Sequence, residues 1–336
     1  MRNTVRDPFW DTVKGVGYLC VLMGHMDMTR YIFNFHMPLF FMVSGMFFTV
    51  SVGGGNLMKI FKNILIPWIY FFAICTAITL VIGGGVNLFA LIKTSYMGRP
   101  CVCNSLWFLT CLAGVQFLAG GIFPKITNRK REAVLIFVCL GLAFISSSLP
   151  GRWQVRFPLM MLSIPMAMLF FYVGYAYKDK IRLMMSDLKT ATCLIALVSL
   201  GAVYWVISHY GGYSNMMYPI FNSISGFVIA ALLGTSCVVL LVKLISRERH
   251  ILQALAWVGR CSICFFLIEE YSIRLAHRIL SGCNESIRYP IYYWESNWET
   301  LPWKMLVAIS AFAISCAVMP FLMYGLNSLK HLIKEK

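Results

Sequence analysis

The feature that most constrains this chain is its repeated run of about twenty apolar residues. Ten such stretches fall at roughly 13–28, 31–51, 61–83, 105–122, 132–149, 157–177, 190–208, 220–243, 261–280 and 304–328. A helix needs about 20 mostly apolar residues to cross a bilayer. Stretches such as AVLIFVCLGLAFI at positions 133–145 do not alternate polar with apolar. The strands of a membrane barrel must alternate, so helices are expected. Apolar residues make up 59% of the chain and charged ones 12%, far from the balance of a soluble domain. Mean hydropathy is +0.73. The expected fold is an all-α, polytopic integral membrane bundle of about ten transmembrane helices, forming one domain over residues 1–336.

Net charge is +16. In a soluble protein this would point to nucleic acid. Here Lys and Arg sit in short connections between apolar runs, as membrane orientation requires, so no nucleic-acid partner is expected. Twenty lie on the side of the termini and nine on the other, which predicts that both termini are cytoplasmic. The membrane is expected to be the cell membrane, crossed many times, and a bacterial inner membrane best fits this pattern. No small-residue cleavage site follows the first apolar run, so that run is expected to stay in the mature protein.

Most of the twelve cysteines lie inside apolar runs and read as small hydrophobes. Cys261 and Cys264 form a CxxC with no second pair at zinc spacing, so no metal site is predicted. Cys101, Cys103 and Cys283 fall in outer connections, where a disulfide among them is one option.

The chemistry-bearing stretch is Lys14 to Gly45, KGVGYLCVLMGHMDMTRYIFNFHMPLFFMVSG. It places His25 and His36 in two successive apolar runs, and ionisable groups at membrane depth are functional hypotheses by default. On a helical wheel Lys14 and His25, 11 positions apart, point in nearly the same direction. Asp11 and Tyr18 lie close to that stripe. The axial gap from Lys14 to His25 is about 16 Å. Gly15, Gly17 and Gly24 allow close approach of a neighbouring helix or a ligand. Antiparallel neighbours would bring His25 and His36 to similar depth, near the outer leaflet. His25 has the alternative of a hydrogen-bonded bundle residue, and His36 that of a helix-start residue bonded to backbone.

Several spaced motifs then occur in order. Arg6-x4-Asp11-x2-Lys14-Gly15, Gly24-His25, Phe35-His36-Met37-Pro38-Leu39-Phe40-Phe41 and Ser44-Gly45 resemble the opening of the membrane acyltransferase-3 family. The FHMPLFF form is most similar to its fucose 4-O-acetylase branch. Leu106-Trp107-Phe108-Leu109 and Gly259-x2-Ser262 resemble later family motifs. The resemblance implies transfer of an acetyl or similar acyl group from acyl-CoA to a hydroxyl of a cell-surface glycan or its lipid-linked precursor. It maps a basic-residue-x10-His motif onto Lys14 and His25 and makes His25 the essential histidine.

Acyl transfer needs a base for the hydroxyl proton and donors for the oxyanion. The expected catalytic residues are His25, His36 and Asp11, with His25 as general base and a transient acyl-His25 as the competing mechanism. Lys14, Arg6 and Tyr18 are expected to meet the donor, acyl-CoA, which is a substrate and not a permanently bound cofactor. Asn34, Trp107 and Glu269 are expected at the acceptor, with Asn34 or His36 orienting it or donating to the oxyanion. Glu269 stands where relatives carry a second histidine. Two readings stay open for it: accepting from an imidazole or a sugar hydroxyl, or pairing with Arg274 or Arg278.

The segment Glu285–Trp303 holds six Tyr and Trp residues, and reads either as an interfacial belt or as a glycan platform. A transporter of a sugar-linked or small metabolite, with the polar groups as a proton relay, is the alternative function. A non-catalytic assembly partner is a third, weakened by the unexplained cost of membrane histidines.

Overall fold

The computed structural model describes residues 7–50, 55–81, 86–149, 157–212, 214–283 and 300–332. Arg6 and most of the aromatic segment 285–303 lie outside the described residues. Of the described residues, 84% are helical. The chain divides into two compact units, one of 1–40, 183–211 and 228–325, the other of 41–182, 212–227 and 326–336.

The first unit begins with α1, Pro8–His25. Asp7 caps it by accepting from the Phe9 amide at 3.0 Å, and Pro8 occupies the first turn, where no amide is needed. After a turn, the 3-10 segment Arg30–Asn34 follows. Phe35, at φ −136° and ψ −22°, separates it from α2, His36–Met46. Further along the chain come α9, Thr190–Gly211, α10, Ile224–Ile245, α11, Arg249–Arg260, α12, Ser262–Cys283, and α13, Leu301–Leu332.

Two glycines let α1 and α11 meet backbone to backbone. A Cβ on Gly259 would lie 1.6 Å from the Asp11 carbonyl oxygen, and one on Gly15 2.1 Å from that of Leu255. The Thr12 hydroxyl, bonded to Pro8 O in its own helix, also reaches Leu252 O at 3.1 Å. Small residues at the crossing therefore seat α1, the helix that carries the stripe. Around it Phe265 and Phe312 stack, with the Tyr18 ring tilted against both, and Leu22, Met26, Ile273, Ala276, Val307, Ala308 and Ala311 form an apolar core. The Ser315 hydroxyl donates to Ser272 at 2.8 Å, joining α13 to α12.

The second unit holds α3, Gly55–Ile60, which runs through a π-helical segment, Phe61–Leu65, into α4, Ile66–Val81. With them are α5, Leu88–Tyr96, α6, Trp107–Ile122, α7, Arg129–Ser148, and α8, Ile164–Asp187. A two-residue hairpin pairs Ser214–Asn215 with Ile220–Phe221. Gly45 and Gly174 pack reciprocally against the carbonyls of Phe171 and Met42. Phe48, Phe123, Phe171 and Tyr175 cluster beside them.

Among the described residues, six helices are long and apolar enough to cross a membrane: Gly55–Val81, Asn104–Lys125, Arg129–Ser148, Thr190–Gly211, Ile224–Ile245 and Leu301–Leu332. The pair α11 and α12, bent by 79°, makes a seventh if counted as one span. The expected ten are not confirmed among the described residues. Asp11, Lys14 and His25 dilute the hydropathy of α1, and the break at Phe35 leaves α2 only 11 residues long. Pro320 does not interrupt α13. Large apolar side chains face outward, such as Phe137 at 75% exposure on α7, which suits a lipid solvent. Cys101 carries a free thiol; the Cys283 side chain lies outside what the structure describes.

Candidate active site

His25 is the last residue of α1. Beyond it Met26 caps the helix and Asp27 turns the chain at φ 50°, a left-handed conformation that Asp tolerates better than most residues. The Asp27 amide returns to Gly24 O at 2.9 Å and the Met28 amide to Met23 O at 3.1 Å, which satisfies the final carbonyls of the helix. Gly24 in turn meets Ile32 and Phe33 of the 3-10 segment. Gly24, beside His25, thus serves helix and turn packing.

Nδ1 of His25 lies 2.9 Å from Oε1 of Glu269 on α12. The Glu269 side chain is 1% exposed and that of His25 33%. A carboxylate only accepts, so the bonded tautomer has the proton on Nδ1 and a lone pair on Nε2. The imidazole is thereby oriented by a buried carboxylate, and its Nε2 has no hydrogen-bond partner among the described residues. Arg274 pairs with Glu270, one residue along, so of the two readings of Glu269 the imidazole partnership is the one formed. The separation of 244 positions between the two partners hid this from local pattern reading.

His36 is buried, and its Nδ1 donates to Ile32 O at 2.8 Å. The Phe33 ring stands edge-on at 5.2 Å. In that tautomer its Nε2 is an acceptor, so neutral His36 has no ring donor left for an oxyanion. Asn34, also buried, ends the 3-10 segment.

Lys14 Nζ bonds Asp11 Oδ1 at 2.6 Å, one turn apart on α1. Asp11 is therefore held by the nearby cation, 14 positions and about 21 Å down the helix from His25. Tyr18 is fully buried, with its ring 5.0 Å from Phe265. Trp107 belongs to the second unit, where it starts α6, is buried and lies edge-on to Phe108. The structure thus brings together His25 with Glu269 and Asp11 with Lys14.

Two arrangements near His25 escaped sequence reading. The buried Lys304 side chain donates to Asp27 O at 3.0 Å. Tyr31 bonds His209 Nδ1 at 2.8 Å, with Trp205 stacked on that ring and Tyr204 donating to Tyr31 O at 2.6 Å. The sequence signal for Lys304 is a cation at the head of an apolar run, which membrane orientation also explains.

The family model described as an acyltransferase domain matches residues 7–324. Comparison with curated proteins and with solved structures returned no match.

Proposed function

Because this chain belongs to the acyltransferase-3 family, we propose that it is a membrane O-acyltransferase whose general base is His25, held by Glu269. The observation that carries the reading is the 2.9 Å contact between His25 Nδ1 and the buried carboxylate. Chemically, a hydroxyl oxygen of the acceptor attacks the thioester carbonyl while Nε2 of His25 takes its proton. The imidazolium so formed lies beside the Glu269 anion and at the negative end of α1, both of which stabilise it. The tetrahedral intermediate collapses, the C–S bond breaks, and the departing thiolate takes the proton from His25. Ester and free thiol are the products.

The donor in this reading is acyl-CoA, with acetyl-CoA the first choice. The acceptor is a sugar hydroxyl of a cell-surface glycan or its lipid-linked precursor. With His36 Nδ1 occupied by Ile32 O, the oxyanion donor falls to the Asn34 amide. Lys14 and Arg6 meet the donor from the cytoplasmic side, and the membrane is a bacterial inner membrane.

The test is purified protein with labelled acetyl-CoA and a sugar acceptor. Acyl transfer and release of free CoA are expected from the wild type and not from His25→Ala of equal membrane insertion. Unchanged turnover by His25→Ala would remove the assignment. A label retained on His25 after the donor is washed away would replace base catalysis with an acyl-histidine intermediate.

A further inference from the structure

At the start of α9 and the end of α10 lies a cavity of about 350 Å³, lined by Leu188, Lys189, Thr190, Lys243, Ser246 and Arg247 together with Leu244. A water occupies about 30 Å³ of liquid, so the space holds a hydrated anion several atoms across. Lys189 and Arg247 are exposed and Lys243 is half-buried. The Arg247 guanidinium donates to the Thr190 hydroxyl, and both line the cavity. Neither lysine side chain has a hydrogen-bond or ion-pair partner among the described residues, and no carboxylate lines the cavity. The first amides of α9, which no helical carbonyl satisfies, begin at the same wall.

Three cations, two hydroxyls and a helix start around one concavity form a surface complementary to a phosphate group. Orientation in the membrane explains why Lys and Arg gather at this end of the helices. It does not explain why they surround a cavity. The cavity is also remote from the His25–Glu269 pair. His209 on α9 bonds Tyr31, just beyond the end of α1 that carries His25, and Thr190 stands 19 positions earlier, roughly 28 Å along the helix.

We infer that the cavity lined by Lys189, Lys243 and Arg247 binds a phosphate group presented at the membrane surface. Two sources carry that chemistry, the headgroup of an anionic phospholipid and the nucleotide end of coenzyme A. Basic pockets between helix ends are suited to anionic headgroups. The inference stands whether or not His25 is a catalytic base.

The experiment has two arms on purified full-length protein. In detergent, the protein is titrated with adenosine bisphosphate, the nucleotide end of coenzyme A without its thioester arm. In nanodiscs, retention of phosphatidylglycerol over phosphatidylcholine is read by native mass spectrometry. Saturable binding is expected in at least one arm, weakened about fivefold for each cation lost in Lys243→Gln and Arg247→Gln. Lys189→Gln, at an exposed position, supplies the same reading if the others fail to fold. Binding in the nucleotide arm alone assigns the donor, and in the lipid arm alone a headgroup. His25→Ala is expected to keep the site, so loss of transfer and loss of phosphate binding are separate outcomes. No binding in either arm, or equal binding by wild type and all three variants, overturns the inference.

Discussion

The ammonium of Lys304 donates to the backbone carbonyl oxygen of Asp27 at 3.0 Å and is itself fully buried. Its second neighbour is Oδ2 of the same residue at 3.8 Å. A cation from the head of α13 thus closes the left-handed turn that begins two residues after His25. Replacing it with Lys304→Met keeps the aliphatic stem and removes the charge-assisted bond, worth about 1.5–3 kcal/mol. A lower melting temperature is expected, together with slower transfer at unchanged donor KM. A variant that melts and turns over like wild type would show the turn to be held by other contacts.

Glu269→Gln tests the dyad more directly. An amide can hold the ring by donating to it, but then the proton moves to Nε2 and the base is lost. Transfer is expected to fall about 10²-fold or more, approaching the effect of His25→Ala. Expression and helix content should match wild type. Full activity in Glu269→Gln would leave the carboxylate with a packing role only.

Gly259→Ala probes the crossing of α1 and α11. The new methyl would meet the Asp11 carbonyl at 1.6 Å, so the helices must separate. Overpacking of this kind costs about 1–3 kcal/mol, and backbone is the less yielding neighbour. Loss of thermal stability is the expected reading. Gly141→Ala on α7, where nothing beyond its own helix backbone stands within 4 Å, is the control and should not lower stability.

Lys14→Gln separates the donor from the acceptor. The cation sits with Asp11 about 16 Å below His25, on the side where a phosphate-bearing donor would enter. Its loss is expected to raise the donor KM roughly fivefold and leave the acceptor KM in place. Equal shifts in both constants would argue against a donor lying along α1.

Lys14, His25 and the FHMPLFF string were legible because they are local: a helix fixes which residues share a stripe, and spacing carries the motif. The membrane class was legible for the same reason, since hydropathy adds along a run. Span count was less so. The break at Phe35 depends on one residue's backbone angles, which no average over twenty residues registers.

What the sequence by itself determined is the solvent this protein lives in, the family it joins and the histidine on its first helix. The tertiary structure alone decided that Glu269 meets that histidine instead of pairing with Arg274 or Arg278, that Asp11 belongs to Lys14, and that Lys304 pins the turn beyond. The reason is physical. Burial in lipid is an additive property of each segment, whereas the partner of a buried charge is chosen by how distant helices pack. Glycines at 15 and 259 set that packing through contacts with backbone, not through any chemistry of their own.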